Sequence, residues 1–262
     1  MTTSESYIFL AVLALLALVA LIYVLSPMSL LEDITTRGAE IRERLRQLVR
    51  RNRYPSDTKT TLLRAYVDIA LEHHEVICLL IEHELNGSAF ALVRLVYETT
   101  LRALWINMVA TQQQIEKALQ DELGFPLEKI CAEIKEGYFS GRPAEEVELF
   151  DKILQFVVKQ AWGPMCSYTH SGALPIRRRF TGDELKPNYP DAAIAEALNL
   201  ATVPLFLLLH VFFVSMKFQK EDEETQRLLR QYRDEFGERL NALEDACSKP
   251  ARERAEQTSA II

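Results

Sequence analysis

Tyr7 to Leu25 is a run of nineteen residues without a charge, a proline or a glycine. As a helix it would extend about 28 Å at 1.5 Å per residue, close to the roughly 30 Å hydrocarbon core of a bilayer. A helix in lipid satisfies its own backbone groups without water, and these side chains are apolar all round. The run is therefore expected to cross a membrane, with lipid as its partner. A cleaved secretory signal would want a basic leader and small residues before a cut site. The segment before the run holds Glu5 and no lysine or arginine, and Leu25-Ser26-Pro27 is a poor exit, so a retained anchor is expected. Arg37, Arg42, Arg44, Arg46, Arg50, Arg51 and Arg53 follow it, and the positive-inside tendency leaves the N-terminus outside and the rest in the cytoplasm.

Four parts are expected: an anchor over 1–28, a basic juxtamembrane helix over 29–54, a helical bundle over 55–218, and a charged helix with a tail over 219–262. The seven arginines just inside the membrane suit either anionic headgroups, each charge contributing on the order of 1 kcal/mol, or an ordinary solvated face. The net charge of −7 argues against a general nucleic-acid coat, and no DNA partner is expected. Cys78, Cys131, Cys166 and Cys247 form no CxxC pair, which suits reduced thiols in a reducing compartment.

Glycine is scarce and apolar residues recur at intervals of three and four, so the domain reads as all-α, with no convincing strand. Ser29 with Glu32 forms a capping box before a stripe of Leu30, Ile34, Ile41, Leu45 and Leu48. Tyr54 to Asp57 breaks the chain. Helices are then expected over 58–85 and 88–110 as an antiparallel hairpin, with Asn86-Gly87 as a left-handed stop and Ser88 as the next cap. Thr111 with Gln114 is a second capping box, opening a helix to Leu123. A brief helix and a loop fill 124–141, a helix runs from Pro143 to about Tyr168, and Ser171 to Pro190 is the longest loop, a place where function often sits.

Within the segment 192–218, Leu198 to Met216 is apolar and long enough to be a second span, yet Asn199, Thr202, Pro204 and His210 suit a buried bundle helix. Leu229, Tyr232, Phe236, Leu240 and Leu243, at spacings of three, four, four and three, make a seam for a coiled coil or a dock. That seam, with confinement to a membrane plane, favours a homodimer.

Two groups of residues could carry chemistry. Arg94, Glu98 and Arg102 fall at intervals of four on one helix face, and the hairpin partner carries Glu72, His73, His74, Glu75, Glu82 and His83. The second group runs from Trp162 through Cys166, Ser167, Tyr168, Thr169 and His170 to Gly172, followed by Arg177, Arg178 and Arg179. Charges facing a bundle need partners, because an unpaired buried charge costs several kcal/mol, so the two groups are expected to meet. Trp105 and Trp162 are expected as core anchors. His74, Cys78 and Glu82 share a face, but no HExxH or Glu-x-x-His pattern accompanies them, so no metal is expected. Phosphate-cradling glycine loops, nucleophile elbows, and kinase or dinucleotide signatures are missing, so no cofactor is expected.

The stretch from Leu71 to Ile106, the pattern from Trp162 to Arg179 and the later Lys186-Pro187-Asn188-Tyr189 together resemble a family of uncharacterised bacterial helical proteins related to abortive-infection and HEPN-like domains. The resemblance covers about residues 55–215. It implies a compact bundle with a polar site of Arg94, Glu98, His170 and the arginines beyond, and a setting in stress or phage defence; it leaves out the anchor, which in a bacterial protein would place the chain at the inner membrane. The HEPN comparison implies a ribonuclease whose arginine and histidine sit a few positions apart on one helix. This chain departs from it: Arg64 and His73 are nine apart, and Arg94 and His170 come from different helices.

Three readings of the site follow. His170 could act as general acid or base on RNA with Arg94 or Arg178 stabilising charge. Arg94, Glu98, Arg102, His74, Tyr168, Arg178 and Arg179 could hold an anionic ligand without turnover, or the group could be an internal polar network. The expected function is a membrane-anchored interaction or effector module, with a membrane-tethered ribonuclease as the alternative.

Overall fold

The computed structural model describes residues 42–50, 54–120, 126–139 and 161–216, with 227, 230, 231 and 234 of the tail. The apolar run Tyr7 to Leu25, the Ser29 capping box, most of the helix expected from Pro143, and the seam residues from Leu229 to Leu243 lie outside the described residues.

The described residues are helical apart from short connections. Helix α1 (42–50) is followed by α2 (Thr58–Glu82) and α3 (Asn86–Met108). Next come α4 (Gln112–Leu119), α5 (Leu127–Phe139), α6 (Trp162–Thr169) and α7 (Ala173–Arg177). Strands β1 (Phe180–Thr181) and β2 (Glu184–Leu185) precede α8 (Asp191–Ser215). The strands pair antiparallel around Gly182, which takes a φ of 61°. This small hairpin lies in the stretch expected to be a loop.

Asp57 opens α2 by accepting from the Thr60 N–H, so the helix begins where the break at Tyr54 to Asp57 predicts. It ends in a Schellman turn. The Leu85 N–H reaches the Leu80 carbonyl at 2.7 Å and the Glu84 N–H the Ile81 carbonyl at 3.0 Å. The left-handed residue of this turn is Glu84, with φ 59°, and not Asn86 or Gly87 as their composition suggests. Those two residues instead begin α3, whose N-cap is Leu85 and which has no side-chain cap, so Ser88 does not play the expected role. The Thr111–Gln114 capping box at α4 is formed in both directions.

The hairpin is antiparallel: Lys59, at the start of α2, donates to the carbonyl of Asn107, at the end of α3, over 2.8 Å. Helix α8 runs alongside α3, because Ser215 accepts from Asn107 at 2.8 Å while Tyr189, just before α8, packs on Phe90. One end of the bundle therefore gathers the end of α2 and the starts of α3 and α8. The core between these helices is built from residues such as Leu63, Leu71, Val93, Val96, Leu198, Leu205 and Phe212. A second, smaller core joins the C-terminal half of α3 to α4 and α5 through Leu104, Trp105, Ile115, Ile130 and Ile134. Trp105 is fully buried there, and its Nε1 donates to Glu133 at 2.6 Å, as an anchor should.

Leu45, Leu48 and Val49 of α1 belong to the main core. The boundary expected at residue 54 thus runs between helices that share one core. Two of the arginines read as a basic face are paired within the bundle. Arg46 donates to Glu75 at 2.6 Å and to Glu43 at 3.2 Å, and Arg50 bonds Asp68 at 3.1 and 3.2 Å. By length and composition α8 could cross a membrane, and in the structure 78% of its most apolar window is buried among its neighbours. The bundle itself thus supplies most of the apolar surroundings those side chains require.

Candidate functional site

Helix α3 carries Gly87, Phe90, Arg94, Glu98 and Arg102 at helical spacing along one side. The short helix α6 lies against this side: the Thr169 hydroxyl proton is shared between the Met165 carbonyl of its own helix at 2.9 Å and the Ala91 carbonyl of α3 at 3.2 Å, and Tyr168 packs on Phe90 with ring centroids 5.0 Å apart. The C-terminus of α6 is another Schellman turn, in which the Gly172 N–H reaches the Ser167 carbonyl at 2.6 Å and Ser171 takes φ 53°. A Cβ on Gly172 would stand 2.5 Å from Ser167 Oγ and 3.1 Å from Ser167 Cα, so glycine is required by the closeness of the chain. His170 is the C-cap residue of that turn, which fixes where its imidazole stands.

The two sequence groups do meet. Arg94 Nε donates to Glu98 Oε1 at 2.9 Å, and Nη2 pairs with the same oxygen at 2.8 Å. Nη1 stands 2.6 Å from His170 Nε2. The guanidinium carbon lies 4.8 Å from the centre of the Trp162 ring, within cation–π range. Trp162 is half-buried and acts as a platform for Arg94 as well as an anchor.

The remaining expected residues separate. Arg102 is half-buried on the same side of α3 and has no hydrogen bond or ion pair among the described residues. His74 is elsewhere, buried on the far side of the hairpin, where its Nε2 lies 2.8 Å from the Thr202 hydroxyl of α8. That hydroxyl already donates to the Leu198 carbonyl at 2.7 Å, so His74 is the donor. Its neighbour Cys78 lies 3.9 Å from Nδ1, and Glu82 is exposed. His74 thus ties α2 to α8 and takes no part in the Arg94 group. Cys78, Cys131 and Cys166 are free thiols.

Tyr168, Arg178 and Arg179 cluster toward the start of α3. The Asn188 N–H donates to the Arg178 carbonyl at 2.7 Å, and Arg178 Nη1 reaches the Asn188 carbonyl at 3.4 Å, which pins the loop on itself. Burial pushes the Tyr168 phenol up, with Tyr189 adding and Arg178 opposing. Burial likewise raises that of Tyr189, against Arg179 and Arg178. Both hydroxyls therefore stay protonated at neutral pH. Sequence reasoning missed Tyr189, Phe90 and Gly87 as members of this group. The signal was present in Lys186 to Tyr189 and in the glycine on the first turn of a helix.

A family model described as "Family of unknown function (DUF6988)" matches residues 67–240. No curated protein and no solved structure matches the chain. The family match agrees with the expectation of an uncharacterised domain and carries no link to abortive-infection or HEPN-like domains.

Proposed function

We propose that this chain, which belongs to the DUF6988 family of unknown function, is a membrane-anchored interaction module that works without chemical turnover. The observation that carries this reading is that every guanidinium nitrogen of Arg94 already has a protein partner, in Glu98 and His170. Arginine has donors only, so His170 Nε2 must be the acceptor of that contact. A general base needs the same lone pair free, and a residue stabilising a developing negative charge needs its N–H groups aimed at substrate. Arg94 and His170 instead fasten α6 to α3. The membrane part rests on Tyr7 to Leu25 and the arginines after it. The cytoplasmic setting rests on those same arginines, the homodimer on the tail seam, and a role in stress or phage defence on the family resemblance.

The test uses the full chain in detergent with single-stranded RNA. The expected result is no cleavage above that of His170→Ala. Cleavage that disappears in a folded His170→Ala variant would replace this reading with a ribonuclease. In parallel, the full chain should pellet with membranes, and a variant lacking Tyr7 to Leu25 should not.

A further inference from the structure

The end of the bundle that gathers the end of α2 and the starts of α3 and α8 also carries an uncovered apolar surface. Leu85, in the turn between α2 and α3, is exposed, and so are Ile176 and Phe180 in the segment from α7 to α8, where Leu185 is 77% exposed. That segment is held at this end, since Arg179 Nη2 and the Tyr189 hydroxyl both come up against Gly87 on the first turn of α3. Phe180 and Leu185 are direct partners across the β1–β2 ladder, as are Thr181 and Glu184. Partners across an antiparallel ladder share a face and successive residues alternate, so the apolar pair stands on one face and Thr181 with Glu184 on the other. A two-sided hairpin whose apolar face is open, beside further exposed leucine and isoleucine side chains, marks a surface that something apolar covers.

The side from which the chain enters the bundle points to what that is. Arg46 pairs with Glu75, Arg50 pairs with Asp68, and Arg64 Nε donates to the Val49 carbonyl, so α1 runs antiparallel to α2 and begins near the end of α2. Residues 26–41 therefore join Tyr7 to Leu25 to the bundle at the end that carries the apolar surface. The opposite end is further off by the length of α2, about 37 Å for 25 residues at 1.5 Å each. We propose that Leu85, Ile176 and the Phe180–Leu185 face of the hairpin rest in the surface of the lipid bilayer, as a second membrane contact beyond the anchor. The inference rests on the reading of the chain as membrane-anchored and adds which surface of the bundle meets lipid. Between residues 173 and 190 the basic Arg177, Arg178, Arg179 and Lys186 outnumber the acidic Asp183 and Glu184. Arg177, Arg179 and Lys186 are exposed, and such side chains reach headgroup phosphates while their aliphatic stems lie along apolar surface. Glu82 and Glu84 stand exposed on the nearby end of α2 and offset that charge, so the apolar side chains carry the contact and it should survive salt.

The experiment places the full chain in nanodiscs of phosphatidylcholine and phosphatidylglycerol, with and without bromine on the acyl chains, and reads the tryptophan emission that Leu185→Trp adds to that of the wild type. A side chain lying about 5–10 Å into the headgroup–acyl boundary meets the bromine, so the added emission should fall about twofold in brominated lipid, in low and high salt alike. Leu119→Trp is the control, at an exposed leucine of α4 beside the C-terminal half of α3, and its added emission should be the same in both lipids. Phe180→Glu combined with Leu185→Trp should restore most of the lost emission, and because Phe180 is exposed the melting midpoint should not move. Added emission from Leu185→Trp that is undiminished by bromine overturns the proposal, whether that surface meets water or a second copy. Equal quenching in Leu119→Trp also overturns it, because the bundle then has no preferred side toward lipid. A chain that stays with the nanodiscs but shows no quenching removes the docking and leaves the anchor standing, whereas a chain that does not stay with them removes both.

Discussion

Arg94 Nη1 stands 2.6 Å from His170 Nε2, and the chemistry of the two groups fixes the direction of the bond: a guanidinium can only donate, so the ring nitrogen accepts. A side chain that offers an oxygen in the same place can substitute, and a cation cannot. His170→Gln should therefore keep most of the stability, His170→Ala should lose about 1 kcal/mol, and His170→Lys should lose more than His170→Ala. Urea denaturation of the three variants checks the order. An order with Lys above Ala would show that the contact does not hold α6 to α3.

Glu84 offers a test of the turn between α2 and α3. Its φ of 59° places a residue with a Cβ in the left-handed region, which costs about 1–2 kcal/mol and which glycine adopts without strain. Glycine also loses more freedom on folding, which offsets part of the gain. Glu84→Gly should stabilise the chain by about 0.5–1 kcal/mol, read as a higher denaturation midpoint with an unchanged slope. A lower midpoint would mean that the Glu84 side chain makes a contact worth more than the strain.

The hairpin of α2 and α3, the Thr111 capping box and the meeting of Arg94 with His170 were legible in the sequence, because each follows from spacing and from the cost of unpaired charge. The turn was misplaced by composition. Asn86-Gly87 is the commoner left-handed signal, but α2 ends where Leu85 and Leu80 can close a Schellman turn, with its left-handed residue two positions before Asn86. Gly87 is needed for a different reason, the approach of Tyr189 and Arg179, and nothing local in sequence reports a contact across a hundred residues. His74 illustrates the same limit. Spacing puts it on α2 beside His73, but only the position of α8 decides that it faces Thr202 and not Arg94.

Asp57 gives a pH dependence whose sign can be worked out. The hydrogen bonds from Thr60, backbone first and then hydroxyl, hold its carboxyl below the ordinary aspartate range. A folded-state value depressed below the unfolded one contributes stability at neutral pH and loses it as pH falls through the folded value. The contribution therefore disappears in acid, below the usual aspartate titration. Asp57→Asn keeps a capping oxygen that does not titrate, and Asp57→Ala removes the cap at a cost of about 1 kcal/mol. The difference in stability between wild type and Asp57→Asn should narrow on acidification. A difference that stays constant from neutral to acidic pH would show that the Asp57 charge plays no part in the cap.

Cys131 should be the slow thiol. Burial, with the Glu128 charge adding to it, pushes its pKa up to about 11, so the nucleophilic thiolate is scarce at neutral pH and the sulfur is also hard to reach. Cys166 is only half-buried. Mass spectrometry after brief alkylation of the native chain should find Cys166 modified well before Cys131, and denaturation should remove the difference. Equal rates in the native chain would mean that α5 opens from α3 on the timescale of labelling.

The apolar docking of α1 is flanked by ion pairs of unequal worth. Arg50 is 61% exposed, so its bond to Asp68 is a surface pair and Arg50→Ala should cost no more than about 0.5 kcal/mol. Arg46 is 10% exposed, and its pairing with Glu75 and Glu43 raises its pKa in spite of burial, which acts the other way. Removing Glu75 leaves this largely buried cation with Glu43 at 3.2 Å and Asp68 at 3.9 Å. Because Glu75 is itself 43% exposed and Glu43 remains, the cost falls below the 3–5 kcal/mol of a fully buried pair, to about 1–2 kcal/mol. Arg46→Met removes the charge and keeps most of the side-chain volume at a 10% exposed position, so it should cost less than Glu75→Ala. Denaturation in low and high salt checks both parts: the effect of Arg50→Ala should shrink with salt, and that of Glu75→Ala should persist. If Arg46→Met proves the more damaging change, the guanidinium itself, and not relief from a stranded charge, holds α1 on α2.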